Sequence, residues 1–183
     1  TERELFVCTH GKRDQCCGKF GYPIYDELGR QYAHPSGGKI KVWRVSHTGG
    51  HRFAPTLIDF PDGTYWGRMD LEYLHTFMEQ RGSLEGVRAR YRGWSGLDPM
   101  AQIVDLEMLL REGWEWLRRR RTVKDLGESP DGGTRFSIRY QNSDGNWSEA
   151  LAEVQEKDRV MTLLSSGPGE RCARTRYQVI FPG

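Results

Sequence analysis

Apolar and polar positions change period several times along the chain, and each change predicts an element. Glu4 to Val7 is a short apolar run ending at Cys8; beyond a polar loop with Gly11, Lys19 to Tyr32 carries Phe20, Ile24, Leu28 and Tyr32 at helical intervals. This predicts strand, loop, helix. Ile40 to Val45 alternates Ile40, Val42 and Arg44 against Lys41, Trp43 and Val45, a strand pattern entered through Gly37 and Gly38 and stopped just before His47. Thr56 to Phe60 and Thr64 to Gly67 flank Pro61-Asp62-Gly63, whose residues suit a hairpin turn. Leu71, Leu74, Phe77 and Met78 fall on one face of a helix over Leu71 to Gln80 that Gly82 stops. The order predicted is β-α-β-β-β-α.

A break follows in the Arg- and Gly-rich stretch Arg88 to Gly96. Asp98 and Pro99 then open a strong helix as N-cap and first-turn proline, with Ile103, Leu106, Leu110, Trp114 and Leu117 on its apolar face and Arg118 to Arg121 closing it as solvated cations. Alternation in Phe136 to Tyr140, the turn Asn142 to Asn146, Val160 to Leu164, a turn over Ser165 to Glu170, and Tyr177 to Phe181 predict an antiparallel sheet of three or four strands. The fold class expected is α/β (α+β): a domain over 1–97 followed by a smaller helix-plus-antiparallel-sheet module over 98–183, whose role is unassigned.

Composition narrows the functional classes. At 183 residues with 37% hydrophobic content the chain has enough apolar material for a packed core. A formal charge of +2 with mixed signs throughout gives no electrostatic argument for nucleic acid or a membrane surface. No run approaches the roughly 18 apolar residues of a membrane span, and Thr1 to Val7 lacks the apolar core of a signal peptide. A cytoplasmic chain with reduced thiols is expected. The absence of an initial Met and the immediate start of the first strand suggest a piece of something longer.

The informative chemistry is in two closely spaced pairs. Cys8 and Cys17 read C-x8-C, and His47 and His51 read H-x3-H, in a chain with only four cysteines and five histidines. A [2Fe-2S] rhomb needs two terminal ligands per iron, and thiolates from one loop with imidazoles from another supply one pair to each. Gly49 and Gly50 let the histidine loop turn sharply. Two thiolates and two neutral imidazoles bring the oxidised core to neutrality, where four thiolates leave it doubly negative, so a higher potential than in plant-type ferredoxins is expected. Each imidazole keeps a second nitrogen for a proton, which couples electron uptake to protonation. A structural Cys2His2 zinc site uses the same ligand types, although its cysteines usually stand about two to four residues apart. A thiol oxidoreductase using Cys16 or Cys17 is a third reading, weakened by the lack of C-x2-C at a helix start.

Three linked motifs carry a family likeness: Cys8 to Gly18, Trp43 to Pro55 with its H-x3-H, and Pro61 to Gly67. Over residues 4 to 80 the chain resembles the sucrase/ferredoxin-like family of thioredoxin-like [2Fe-2S] proteins. The resemblance implies a thioredoxin-like domain, Cys8 and Cys17 on one iron, His47 and His51 on the other, and an electron carrier with unknown redox donor and acceptor proteins. Cys16 stands where the family pattern often has a basic residue; Cys17 is favoured as the ligand because it directly precedes Gly18.

Other positions are secondary. His10 is a candidate for supporting the cluster loop, Arg13 and Asp14 for holding it by a charge-assisted bond, and Arg52 for offsetting the charge of a reduced centre. His34 and His75 read as surface residues, Cys172 as a small buried one, and Trp94, Trp114 and Trp116 as core or interface.

Overall fold

Leu5 and Val7 point to one side of the strand β1 (Arg3–Cys8) and are fully buried, so this strand lies at the heart of its sheet. On one side it pairs in parallel with β2 (Ile40–Val45), in a register that sets Cys8 opposite Val45. On the other it pairs antiparallel with β3 (Leu57–Phe60), which turns into β4 (Thr64–Trp66) through the hairpin expected at Pro61 to Gly63. With β5 (Tyr91–Trp94), not foreseen in the sequence, the order is β2-β1-β3-β4-β5. The computed structural model describes residues 2–163, 169 and 171–182, except for the side chain of His51.

The helix α1 (Gln15–Leu28) connects the parallel pair and buries Cys17, Gly21, Ile24 and Leu28 along one stripe. It begins four residues before the expected Lys19 because Asp14 caps it, accepting the Cys16 N–H at 2.9 Å. A π-helical turn (Gly29–Ala33) and a 3-10 turn (His34–Ser36) extend it to Gly37, whose φ of 63° ends it. The helix α2 (Leu74–Glu79) is shorter than expected: the Asp70 carboxylate takes the Tyr73 N–H at 2.8 Å, which leaves Leu71 outside the helix and exposed. The short helix α3 (Val87–Arg90) leads into β5.

The chain divides into two compact units, Thr1–Arg92 with Leu163–Cys172, and Gly93–Thr162 with Ala173–Gly183. In the first, Trp66 stands edge-on to Phe77 and to Tyr91 at centroid distances of 5.2 and 5.0 Å. Buried Asp59 is satisfied there by a two-pronged pair with Arg3 at 2.9 and 2.8 Å.

In the second unit the helix α4 (Pro99–Glu112) starts at Asp98 and Pro99 as expected, but its buried face is Ala101, Val104, Asp105, Met108 and Leu109. This is one position round from the stripe Ile103, Leu106 and Leu110. The reason is Gly113, whose φ of 81° ends the helix, so Trp114 and Leu117 belong to a separate 3-10 turn (Trp114–Arg118) and set no register for α4. Arg121 is not a solvated helix end either. It is the buried first residue of β6 (Arg121–Glu128), joined to Asp105 at 2.8 Å. With β7 (Thr134–Gln141), β8 (Trp147–Leu163) and β9 (Arg171–Ile180), β6 makes a four-stranded sheet in the order β6-β7-β8-β9. Its resolved pairs, β6 with β7 and β7 with β8, are antiparallel. The turn at Asn142 to Asn146 is present, closed by the Asn142 N–H donating to the Asn146 carbonyl at 2.8 Å. The turn expected at Ser165 to Glu170 lies, apart from Gly169, outside the described residues. Cys172 is half-buried rather than buried, because β9 is an edge strand. Trp114 and Trp116 are in the core, and Trp94 is half-buried. Among the described residues no helix is long and apolar enough to cross a membrane.

Candidate metal centre

Parallel strands side by side release their following loops at the same end of the sheet, and β1 and β2 do so with the residues of interest. Cys8 is the last residue of β1, and two positions beyond the end of β2 comes His47. The Thr9 N–H still donates to the Val45 carbonyl at 3.3 Å, so the two loops stay laced together as they leave. On its other flank Cys8 donates its N–H to the Thr56 carbonyl at 3.0 Å.

The loop back to α1 is tight. The His10 carbonyl accepts from the N–H groups of Arg13 and Asp14 at 3.1 and 3.3 Å, and Asp14 then caps the helix. Asp14 is itself buried. Cys17 is the third residue of α1, one position past the Cys16 whose N–H the cap holds. Two glycines let the helix press onto the loop. A Cβ on Gly21 would sit 2.1 Å from the Cys8 carbonyl oxygen, and one on Gly18 would sit 2.8 Å from the Cα of Gly11. No side chain larger than hydrogen fits at Gly21 without moving Cys8.

The result is a cluster of donors. One ligand atom each from Cys8, Cys17 and His47 lie within 4.8 Å of one another, with both thiols fully buried and His47 half-buried. Cys8 and Cys17 are free thiols. His51 falls in a 3-10 turn (His51–Phe53), and its side chain lies outside the described residues. His10 is on the cysteine loop beside Thr9, Arg44, Val45 and Ser46, with its Nδ1 shielded and unpartnered among the described residues. His34 and His75 are both exposed, as expected of surface residues, and stand outside this set.

A helix N-terminus by itself lowers a thiol's pKa. Here burial wins: it pushes the Cys17 thiol up to about 12, helped next by the adjacent Cys8 thiol and its hydrogen bond. Two buried thiols held together and an imidazole make a soft donor set that suits zinc or an iron–sulfur group. Loading a metal here displaces thiol protons. The metal-free chain shows the other side of this balance. The unfolded thiol loses its proton near 9 and the folded one near 12, so Cys17 favours the folded state fully below about pH 9 and loses that contribution as pH rises toward 12. Urea unfolding of the metal-stripped chain is expected to show this alkaline decline, and Cys17→Ser is expected to flatten it.

Sequence reasoning missed Asp14 as a cap, and the signal was there: an aspartate followed within three residues by the first buried helical position. The close approach at Gly18 and Gly21 had no comparable signal beyond the glycines themselves.

Comparison with solved structures finds the thioredoxin-like [2Fe-2S] ferredoxin from Aquifex aeolicus, 15% identical with a TM-score of 0.44, covering 54% of this chain and 96% of that one. A cysteine-to-serine variant of that ferredoxin matches at 16% identity and a TM-score of 0.38, over 46% of this chain and 88% of the other. No curated protein matches the chain. A family model described as sucrase/ferredoxin-like matches residues 1–93, which is half of the chain and contains the whole donor cluster, and the chain therefore belongs to the sucrase/ferredoxin-like family.

Proposed function

We propose that the chain is an electron-transfer protein that holds a [2Fe-2S] cluster on Cys8, Cys17, His47 and His51, within a domain over 1–97 to which 98–183 is an extension. The observation that carries this reading is the convergence of Cys8 at the end of β1, Cys17 at the start of α1 and His47 on the loop after β2 to within 4.8 Å. Bound, the cluster supplies a site for one electron. The chain's own residues do the rest. Cys8 and Cys17 contribute charge as thiolates, His47 contributes a neutral ligand whose second nitrogen holds a proton, and burial of both thiols keeps water from the sulfur side. Redox donor and acceptor proteins would exchange the electron.

Iron and sulfide analysis with an absorption spectrum tests the reading: about two irons and two sulfides per chain are expected, as the cluster type requires. Zinc is the second reading, favoured by how compact the three donors are, and a colourless chain with one zinc would establish it. Potentiometry tests the histidine. The wild-type potential is expected to fall as pH rises, because reduction makes the imidazole more basic. His47→Cys is expected to keep a cluster, lower the potential by on the order of 100 mV, and weaken the pH dependence. An unchanged spectrum and potential would remove His47 from the ligand set.

A further inference from the structure

Arg52, Arg68 and Arg92 come from three separate stretches of the first unit and meet on one ring. Their Cζ atoms stand 4.5, 5.4 and 4.1 Å from the centroid of Phe53. A ring has only two faces, so at least two of these cations share a side of it. Phe53 is held in place for this. Its N–H donates to the Gly50 carbonyl at 2.7 Å, its carbonyl accepts from the Arg68 N–H at 2.6 Å, and Gly67 packs so close that a Cβ there would be 2.9 Å from the Phe53 Cβ.

Attraction to a neutral ring does not cancel the positive charges of Arg68 and Arg92. Among the described residues neither Arg68 nor Arg92 makes an ion pair, whereas nearby Arg90 is paired with Asp70. Arg92 is half-buried, gives one N–H to the Ala89 carbonyl, and keeps an Nε that is shielded from solvent and unpartnered among the described residues. Burial, then Arg68, then Arg52 bring its guanidinium down to about 10, so the three feel one another. The fold thus gathers like charges around one side chain and, among the described residues, leaves the Arg92 Nε donor unused.

We propose that Arg52, Arg68 and Arg92 form a binding site for a phosphate group, free or carried by a small molecule. A phosphate monoester offers three terminal oxygens, one for each guanidinium, and two negative charges; a carboxylate offers two oxygens and one charge. The site is distinct from the thiols and lies at the end of the histidine loop, since Arg52 follows His51.

Calorimetric titration of the purified, metal-loaded chain tests this with inorganic phosphate, glycerol 3-phosphate, and sodium chloride at matched ionic strength. Saturable binding of one phosphate or one monoester per chain is expected, with a raised thermal midpoint and no such response to chloride. Tighter binding of the monoester identifies the carried group as the ligand, and tighter inorganic phosphate identifies the free ion. Arg68→Gln, at an exposed position, is expected to weaken binding about tenfold. Arg92→Lys, which keeps the charge but loses the planar fork, is also expected to weaken it, while Arg159→Gln on β8 leaves it unchanged. A chloride response equal to that of phosphate, or full affinity in Arg68→Gln, would overturn the proposal. The same titration on metal-stripped chain keeps the result independent of which metal the thiols hold.

Discussion

With the proposed [2Fe-2S] cluster bound, Cys17→Ser is expected to bleach the protein and strip most of its iron, while Cys16→Ser leaves both in place. The expectation rests on how firmly the start of α1 is held. Asp14 caps the Cys16 N–H at 2.9 Å, and Gly21 lies so close to the Cys8 carbonyl that the helix cannot rotate to bring another side chain round. Adjacent helical residues point about 100° apart, so Cys16, half-buried where Cys17 is fully buried, is not placed to substitute. A serine hydroxyl is a poor ligand for a soft site. The loss of metal affinity is therefore expected to exceed the ~10–100-fold typical of removing a mere supporting group. Iron analysis and visible absorbance read the outcome, and bleaching by Cys16→Ser alone would reverse the assignment of the two cysteines.

The second large effect concerns stability and lies away from the metal centre. Asp105→Ala is expected to cost about 3–5 kcal/mol, because it leaves a buried guanidinium without its counter-charge. Asp105 is fully buried and accepts from the Trp94 N–H at 3.2 Å, the Trp116 indole N–H at 2.8 Å and Arg121 Nε at 2.8 Å. Arg121 also donates to the carbonyls of Trp116 and Arg119 at 3.0 and 3.2 Å. One carboxylate thus ties α4 to the 3-10 turn and the first residue of β6. Asp105→Asn keeps the shape and part of the bonding and is expected to cost less. Urea unfolding measures both; equal stability of Asp105→Ala and wild type would show the network to be dispensable.

These two networks differ in how far they could be read from the chain. The thiol and imidazole pairs stood out because cysteine and histidine are few and their spacing is local, and the strands that position them alternate cleanly at Leu5, Val7 and Ile40 to Val45. The hairpin at Pro61 to Gly63 was legible for the same reason, since turn chemistry depends on adjacent residues. Asp105 and Arg121 were not legible. Each looks solvated by itself, and only their meeting across 16 positions makes burial affordable for both. The misplaced face of α4 has a share of the same origin: beside the stop at Gly113, a charged residue, Asp105, at its centre disguises a stripe that is otherwise apolar. The Arg52, Arg68 and Arg92 group likewise depends on long-range proximity that no local pattern reports. The 3-10 turn that carries His51 was also unforeseen, because its Gly50 to Phe53 bond belongs to backbone geometry more than to side-chain pattern.

The interval between the two cysteines has a mechanical meaning. A strand end, a turn closed on the His10 carbonyl, and the opening turn of a capped helix together consume the eight intervening positions, and the glycine pair at 11 and 18 cinches the resulting ring across its waist. Such a ring has no slack. Insertion of a single residue between Lys12 and Asp14 would have to bulge outward into solvent or prise the helix from the strand, and the sulfur atoms would part company before the rest of the protein noticed.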